Sequence, residues 1–216
     1  MTSATPDPAP SRRERRRREL HERILDSAVA LFERKGFDST TALEIANSAD
    51  VAEKTFYNHF PTKQHLIEEL AGRSLEAAVE LLAEARRLPG TTADQLRQFA
   101  EGSAEAAEQG SRQLTREVLL ELVRVAQVDG VGPDRKRALH HGFRALLDDG
   151  VARGDVAPGG DLEFVTDLAV ATYLGMIINW VTLPDYPLRE RLRLAAEAAA
   201  EMLGRGLTPR SEKGRR

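Results

Sequence analysis

Residues 36–63 read GFDSTTALEIANSADVAEKTFYNHFPTK, and this stretch decides the fold of the N-terminal part of the chain. It contains two short helix-forming segments, about 42–49 and about 53–58, joined by a tight turn that begins at Asp50. Hydroxyl side chains at 39–41 are candidate caps for the first segment. Aspartate enters the left-handed backbone region more easily than most residues, as a turn between two crossing helices requires. Neither segment is long enough to be stable alone, so both need a neighbouring helix.

The segment before this stretch supplies that helix. Residues 13–35 have helical periodicity and end at Gly36. Their apolar face consists of Leu20, Ile24, Ala28, Leu31 and Phe32. The residues placed to close a small core against it are Ile45, Ala46, Ala49, Val51 and Phe56. The outward positions of the second short helix are then Glu53, Lys54, Thr55, Tyr57 and Asn58. Polar groups of this kind can meet phosphates or base edges, so the pattern indicates a DNA-binding helix-turn-helix.

The rest of the 216-residue chain also has helical spacing, and the sequence predicts an all-α fold of about nine helices without a sheet. Residues 63–87 form a long helix whose inward positions are Leu66, Ile67, Leu70, Ala77, Leu81 and Ala85. Further helices are predicted at 93–108, 111–128, 133–153, 161–183 and 187–203. The breaks between them are Gly110, Gly130-Val131-Gly132, Gly154, Gly159-Gly160 and Pro184.

Charge and composition give the domain organisation. The net charge is −3, but six arginines stand within 12–18 and the last residues are also basic. We therefore expect a disordered N-terminal arm (1–12), a helix-turn-helix DNA-binding domain (13–62), a helical regulatory and dimerisation domain (63–205) and a basic C-terminal tail (206–216). The chain has no cysteine, and its start lacks the apolar segment of a signal peptide, so we expect a cytoplasmic protein.

An uncharged stretch, 168–183, cannot be an ordinary surface helix with one wet face. A membrane span usually needs about 20 apolar residues, whereas this stretch is shorter. It also holds the small or polar residues Thr172, Gly175, Asn179 and Thr182. A buried core helix or an interface helix is the better interpretation, and no membrane partner is expected.

Residues 13–70 closely resemble the DNA-binding domain of the TetR family of regulators. The residues that carry the resemblance are Gly36-Phe37, Thr41, Ile45-Ala46, Val51, Thr55-Phe56-Tyr57, His59-Phe60 and Lys63. In that family the second short helix enters the major groove. The resemblance implies backbone contacts at Thr41, Thr55, Tyr57, His59 and Lys63, and positions nearer the bases at Glu53 and Lys54. The chain departs from the family in having Asp50 where a turn glycine is usual and Ala52 where a capping serine is frequent.

The resemblance also implies a homodimer that binds two half-sites of double-stranded operator DNA, with an interface from the last two long helices. It further implies a small-molecule site among the C-terminal helices, whose state the 63–87 helix transmits. The candidate lining residues are Phe99, Leu122, Phe143, Tyr173, Ile177, Asn179 and Trp180. Because they are mostly apolar, the effector is expected to be a small hydrophobic compound. The arginine run would add phosphate attraction or enter the minor groove.

Other functions find less support. The sequence has no phosphate-binding glycine loop, no HExxH or GxSxG motif and no cysteine nucleophile, so we expect no enzyme, no catalytic residue and no cofactor. His140 and His141 point to different helix faces and predict no metal site. A nonspecific architectural DNA-binding protein and a helical protein-interaction module remain as alternatives to a ligand-responsive repressor.

Overall fold

A computed structural model describes residues 11–126, 133–157 and 161–205. Most of the predicted arm, the glycine breaks at 130–132 and 159–160 and the basic tail at 206–216 lie outside the described residues. Arg12, which the sequence analysis assigns to the arm, is the first residue of the first helix.

The described residues form nine α-helices, which confirms the predicted all-helical fold. In chain order they are α1 (Arg12–Lys35), α2 (Ala42–Ser48), α3 (Glu53–His59), α4 (Lys63–Arg87), α5 (Thr92–Gln109), α6 (Arg112–Ala126), α7 (Pro133–Arg153), α8 (Leu162–Thr182) and α9 (Leu188–Arg205). Each begins within one residue of its predicted start. The chain divides into two compact units, one ending at Ile67 and the other starting at Glu68.

Local capping explains the first three helices. Gly36 ends α1 at a φ of 84°, a backbone conformation that suits glycine, and its N–H donates to the Phe32 carbonyl. Thr41 caps α2 in a reciprocal capping box with Glu44. Asp50 has a φ of 52°, the predicted left-handed turn between α2 and α3. The methyl side chain of Ala52 cannot accept a hydrogen bond, so α3 has no side-chain cap.

The first unit has an apolar core shared by α1, α2, α3 and the start of α4. Its buried members are Ile24, Leu25, Ala28, Leu31, Phe32, Ile45, Ala46, Ala49, Phe56, Phe60, Leu66 and Ile67. Leu20 and Val51, which were also expected inside, are half-buried. Burying three phenylalanines in so small a unit fixes the two short helices, which could not persist alone.

The second unit contains the larger core, in which α5 packs against α9 while α7 and α6 pack against α8. The prediction for the inward face of α4 is wrong at Ala77, which is exposed; Ala78 and Leu82 are buried instead. A helix has 3.6 residues per turn, so a periodic pattern fitted at one end of this long helix is out of phase by one residue further along.

Helix α8 is the one described helix that is long and apolar enough to cross a membrane, by length and composition alone. Only Thr166, Ile177 and Trp180 of this helix are buried within the chain. Phe164 and Ile178 are 59% and 45% exposed. The described residues of the chain therefore leave much of this helix uncovered, which favours the interface helix over the buried core helix of the two sequence-based interpretations.

Candidate DNA-binding surface and effector cavity

Helix α3 separates its residues cleanly between core and surface. Phe56 is fully buried, while Glu53, Lys54, Tyr57 and Asn58 are exposed, Tyr57 to 45%. Thr55 and His59 are half-buried. The Phe56 ring meets the Tyr57 ring edge to face at 5.3 Å, which holds the tyrosine while its other side remains open to solvent. The structure thus brings the predicted α3 residues together on one short helix.

Thr41 lies at the start of α2, and its side chain is already engaged. The Thr41 hydroxyl donates to Glu44 Oε2 at 2.8 Å and accepts from the Glu44 N–H at 3.2 Å. Lys35 pairs with the same carboxylate from the end of α1. The Lys35 hydrogen bond, followed by those from Thr41, lowers the pKa of Glu44 to about 2. This ion pair and capping box together fix where α2 begins relative to α1.

Lys63 has a structural role that the sequence did not predict. Its ammonium group donates to the Phe37 carbonyl at 2.7 Å and to the Thr40 carbonyl at 2.9 Å. It also lies 4.1 Å from the centre of the Phe37 ring, within cation–π range. Partial burial lowers the pKa of Lys63 from its ordinary value. An ammonium group has three donors, so one hydrogen remains beyond these two bonds for a further acceptor.

His59 stands where α3 meets α1. The His21 ring stacks on Phe60 at 4.4 Å and lies 5.6 Å from the His59 ring. Burial, together with the positive potential of His21 and Arg17, lowers the pKa of His59 below its ordinary value. Arg13 and Arg17 line a surface cleft with Asn58 and His59. The arginine run was visible in the sequence, but which of its members face α3 required the structure.

The second unit contains a partly open apolar cavity of about 420 Å³, within the range of small-molecule sites, and the exposed side chains Phe164, Leu168 and Met202 are among its lining residues. Aromatic rings form one wall: Phe99 meets Phe143 edge to face at 5.1 Å and lies 5.1 Å from Tyr173. Burial raises the pKa of the Tyr173 phenol, against a smaller opposing effect of the Ser103 hydroxyl. The buried Ser103 oxygen makes no hydrogen bond of normal geometry to any part of the chain that the structure describes.

Three of the seven predicted lining residues, Phe99, Phe143 and Tyr173, line this cavity. The other four, Leu122, Ile177, Asn179 and Trp180, are absent from its wall. Asn179 is exposed, and Trp180 is buried under the Arg112 guanidinium, 5.0 Å from the ring centre. The contribution of α9 was missed: Leu192, Ala195, Ala196, Ala198, Ala199, Met202 and Leu203. The alanine cluster in α9 was the available signal, since small side chains leave space beside a helix.

Comparisons with known proteins agree with this geometry. The model of bacterial regulatory proteins, tetR family, matches residues 24–70. The HTH-type transcriptional repressor KstR of Mycolicibacterium smegmatis is 27% identical over 170 residues, which are 76% of this chain and 78% of that repressor. Salmonella enterica GusR aligns with a TM-score of 0.64 at 25% identity over 85% of this chain and 96% of its own.

Thermus thermophilus FadR, described as a TetR family transcriptional repressor in complex with lauroyl-CoA, aligns with a TM-score of 0.62. It is 24% identical, and the alignment covers 90% of this chain and 99% of the Thermus chain. This similarity shows a shared fold. The matched residues 24–70 hold the helix-turn-helix whose second helix exposes Lys54 and Tyr57. Residues 24–70 thus form a helix-turn-helix domain of the tetR family of bacterial regulatory proteins, and the chain is a DNA-binding transcriptional regulator.

Proposed function

We propose that this regulator is a cytoplasmic, ligand-responsive repressor that binds a palindromic operator as a homodimer. The observation that carries the proposal is the division of α3 into a buried side at Phe56 and an exposed polar side. We propose repression because the similar protein from Mycolicibacterium smegmatis and the solved Thermus protein are both described as transcriptional repressors. Because one helix-turn-helix reads few base pairs, two copies are needed to define a genomic site.

The exposed side of α3 enters the major groove. Glu53 and Lys54, in its first turn, face the base edges, where the lysine can donate to guanine O6 and N7. Thr55, Tyr57, Asn58 and His59 contact the phosphate backbone on either side. Thr41 and Lys63 flank them, and their side chains contribute mainly by fixing the ends of α2 and α4.

Selection of duplexes from a random DNA pool tests this function. The proposal predicts enrichment of an inverted repeat with half-site centres about one helical turn, ~34 Å, apart. Enrichment of no sequence, with binding to all duplexes, would instead indicate an architectural DNA-binding protein. Absence of DNA binding would indicate a protein-interaction module, and either result contradicts the proposal.

The homodimer interface is formed by α8 and α9. On α8 the partly or fully exposed residues Phe164, Leu168, Ala171, Gly175 and Ile178 follow one another at helical spacing. A side chain added at Gly175 would meet nothing within 4 Å inside the chain, so another helix can approach closely there. On α9, Leu194, Ala198 and Met202 form a second exposed row. Monomeric proteins rarely expose apolar rows of this length.

Light scattering coupled to gel filtration tests the interface. Ile178→Arg places a charge in the α8 row and is expected to shift the protein from twice the chain mass to the chain mass. Leu120→Arg on α6 is the matched control, because Leu120 is also an exposed apolar residue, at 57%, but lies outside both rows. A dimer that survives the first substitution, or dissociates equally with the second, would contradict the proposed interface.

The effector is a small hydrophobic compound that occupies the apolar cavity between α5, α7, α8 and α9. The Thermus structure was solved in complex with lauroyl-CoA, which makes an acyl compound a sensible first probe. Lauroyl-CoA is expected to raise the melting temperature and to release operator DNA. Ala199→Phe, which fills the cavity from α9, is expected to abolish both effects while DNA binding without ligand persists. Unchanged release by lauroyl-CoA from the Ala199→Phe protein would place its binding site elsewhere.

A further inference from the structure

The apolar cavity of the second unit is elongated and has two unlike ends. Phe164 and Met202 are lining residues with exposed side chains, so they mark its mouth. Tyr173 lies on α8 about 13 Å further along the helix axis than Phe164. The α9 wall runs from Leu192 to Leu203, about 16 Å along that helix. The cavity therefore suits a long compound whose apolar body lies towards the mouth and whose inner end reaches Tyr173.

The wall of the cavity offers nothing that would compensate a charged ligand group. None of the described lining residues carries a charge, and apart from Thr172 and Tyr173 their side chains are apolar. Moving an ionised carboxylate or phosphate out of water into such surroundings is strongly unfavourable unless a cation or several donors compensate it. The part of the effector inside the cavity is therefore uncharged. In lauroyl-CoA the acyl chain meets this requirement and the phosphates do not.

The inner end of the cavity holds two neighbouring hydroxyl groups. Ser103 follows Phe99 by one turn of α5, and the Phe99 ring lies 5.1 Å from the Tyr173 ring. Burial raises the pKa of the Tyr173 phenol, and the adjacent Ser103 hydroxyl lowers it to a smaller extent, so the phenol keeps its proton and can donate it. The Ser103 oxygen is buried and makes no hydrogen bond of normal geometry to the described residues. Because nearly all buried polar groups are hydrogen-bonded, this unsatisfied hydroxyl indicates a group of atoms that a ligand completes.

We propose that the effector is an uncharged, elongated apolar compound with a carbonyl or hydroxyl oxygen at its inner end, and that the Tyr173 phenol donates a hydrogen bond to this oxygen. Ser103 is a positioning residue. Its hydroxyl donates to the Tyr173 oxygen and so turns the phenol hydrogen towards the ligand, which satisfies both hydroxyl groups in one chain of hydrogen bonds. The proposal rests on the proposed function, because it names the class of compound that occupies the effector cavity.

Isothermal titration calorimetry with the full chain tests the class of ligand. Decan-2-one and decanoate have the same number of carbon atoms, but the ketone is neutral, whereas the carboxylate is ionised at about pH 8. Decan-2-one is expected to bind at least about tenfold more tightly than decanoate, because the cavity cannot compensate the negative charge. Equal affinities, tighter binding of decanoate or no binding of decan-2-one would overturn the proposal.

Removal of single phenol groups tests the hydrogen bond. Tyr173→Phe keeps the ring and is expected to weaken the binding of decan-2-one about fivefold, the effect of one net hydrogen bond. Tyr186→Phe is the matched control, because Tyr186 also packs against the core of the second unit but is not among the described lining residues. Unchanged affinity in Tyr173→Phe, or an equal loss in both variants, would contradict the assigned contact.

Ser103→Ala separates positioning from packing. Because it removes an unsatisfied buried oxygen, the melting temperature without ligand is expected to stay the same or rise, while the affinity for decan-2-one falls about threefold. Since Ser103 acts through Tyr173, the variant Ser103→Ala/Tyr173→Phe is expected to bind decan-2-one no more weakly than Tyr173→Phe alone. Additive losses, or a melting temperature that falls together with the affinity, would overturn the chain of hydrogen bonds.

Release of the selected operator is measured in parallel, so that failure of this site and failure of the proposed function give different results. If decan-2-one binds with the expected dependence on Tyr173 but leaves the operator bound, ligand-responsive repression fails and the site stands. If lauroyl-CoA releases the operator while decan-2-one does not bind, the class of ligand is wrong and the proposed function stands.

Discussion

Lys63→Met tests the structural role of the lysine at the start of α4. Methionine keeps the aliphatic stem but removes the two hydrogen bonds to the Phe37 and Thr40 carbonyls and the contact with the Phe37 ring. A hydrogen bond from a charged donor stabilises a protein by ~1.5–3 kcal/mol. Because the lysine is half-exposed and screened by solvent, we take about 2 kcal/mol for the two bonds together.

Hydrogen exchange measured by mass spectrometry follows this loss within the whole protein. A decrease of about 2 kcal/mol in the free energy of opening makes exchange of the α2 amides about 30-fold faster. Lys54→Met is the matched control, because Lys54 is exposed on α3 and its substitution leaves the loop before α2 unchanged. Equal exchange in wild type and Lys63→Met would refute the idea that Lys63 holds this loop.

Three further outcomes follow from the contacts described above. Gly150→Ala is expected to lower the free energy of unfolding by about 1–3 kcal/mol in thermal denaturation, because its Cβ would stand 2.1 Å from the Thr92 hydroxyl oxygen; an unchanged melting temperature would contradict the packing of α7 on α5. The pKa of Glu44 falls from 4.5 to about 2 on folding, so its contribution to stability is complete above pH 4.5 and is lost as the pH falls towards 2. In chemical denaturation, the difference in unfolding free energy between wild type and Glu44→Gln should shrink over that pH range. Burial lowers the pKa of His59 in the free protein, whereas a nearby phosphate would favour the protonated ring, so we expect DNA binding to take up a proton. Operator affinity should therefore increase as the pH is lowered through the ordinary histidine value of 6.5. His59→Gln should reduce that pH dependence.

The helices and the first core were predictable because their signals are local. Gly36, Thr41 and Asp50 each fix a backbone conformation that their own side chains, or lack of one, determine. The apolar spacing of α1 likewise identifies Ile24 and Phe32 as core residues. Such local signals place every helix start, and with it the exposed side of α3.

What escaped prediction depends on contacts between residues distant in sequence. Lys63 bonds to carbonyls 23 and 26 residues away, and nothing near it in the sequence reveals these acceptors. Arg13 and Arg17 line the same cleft as His59 because of the way in which α1 packs on α3. The cavity wall formed by α9 depends on the packing of α9 against α5, which the alanine spacing alone cannot specify.

The role of α3 as the helix that reads DNA is tested most directly by parallel selections from a random pool with wild type and Lys54→Gln. We predict that both proteins enrich an inverted repeat and that the variant changes the preferred base at one symmetric position in each half-site, from guanine towards adenine. Identical repeats for the two proteins would contradict base reading by Lys54, and the absence of any repeat for the wild type would contradict sequence-specific binding altogether.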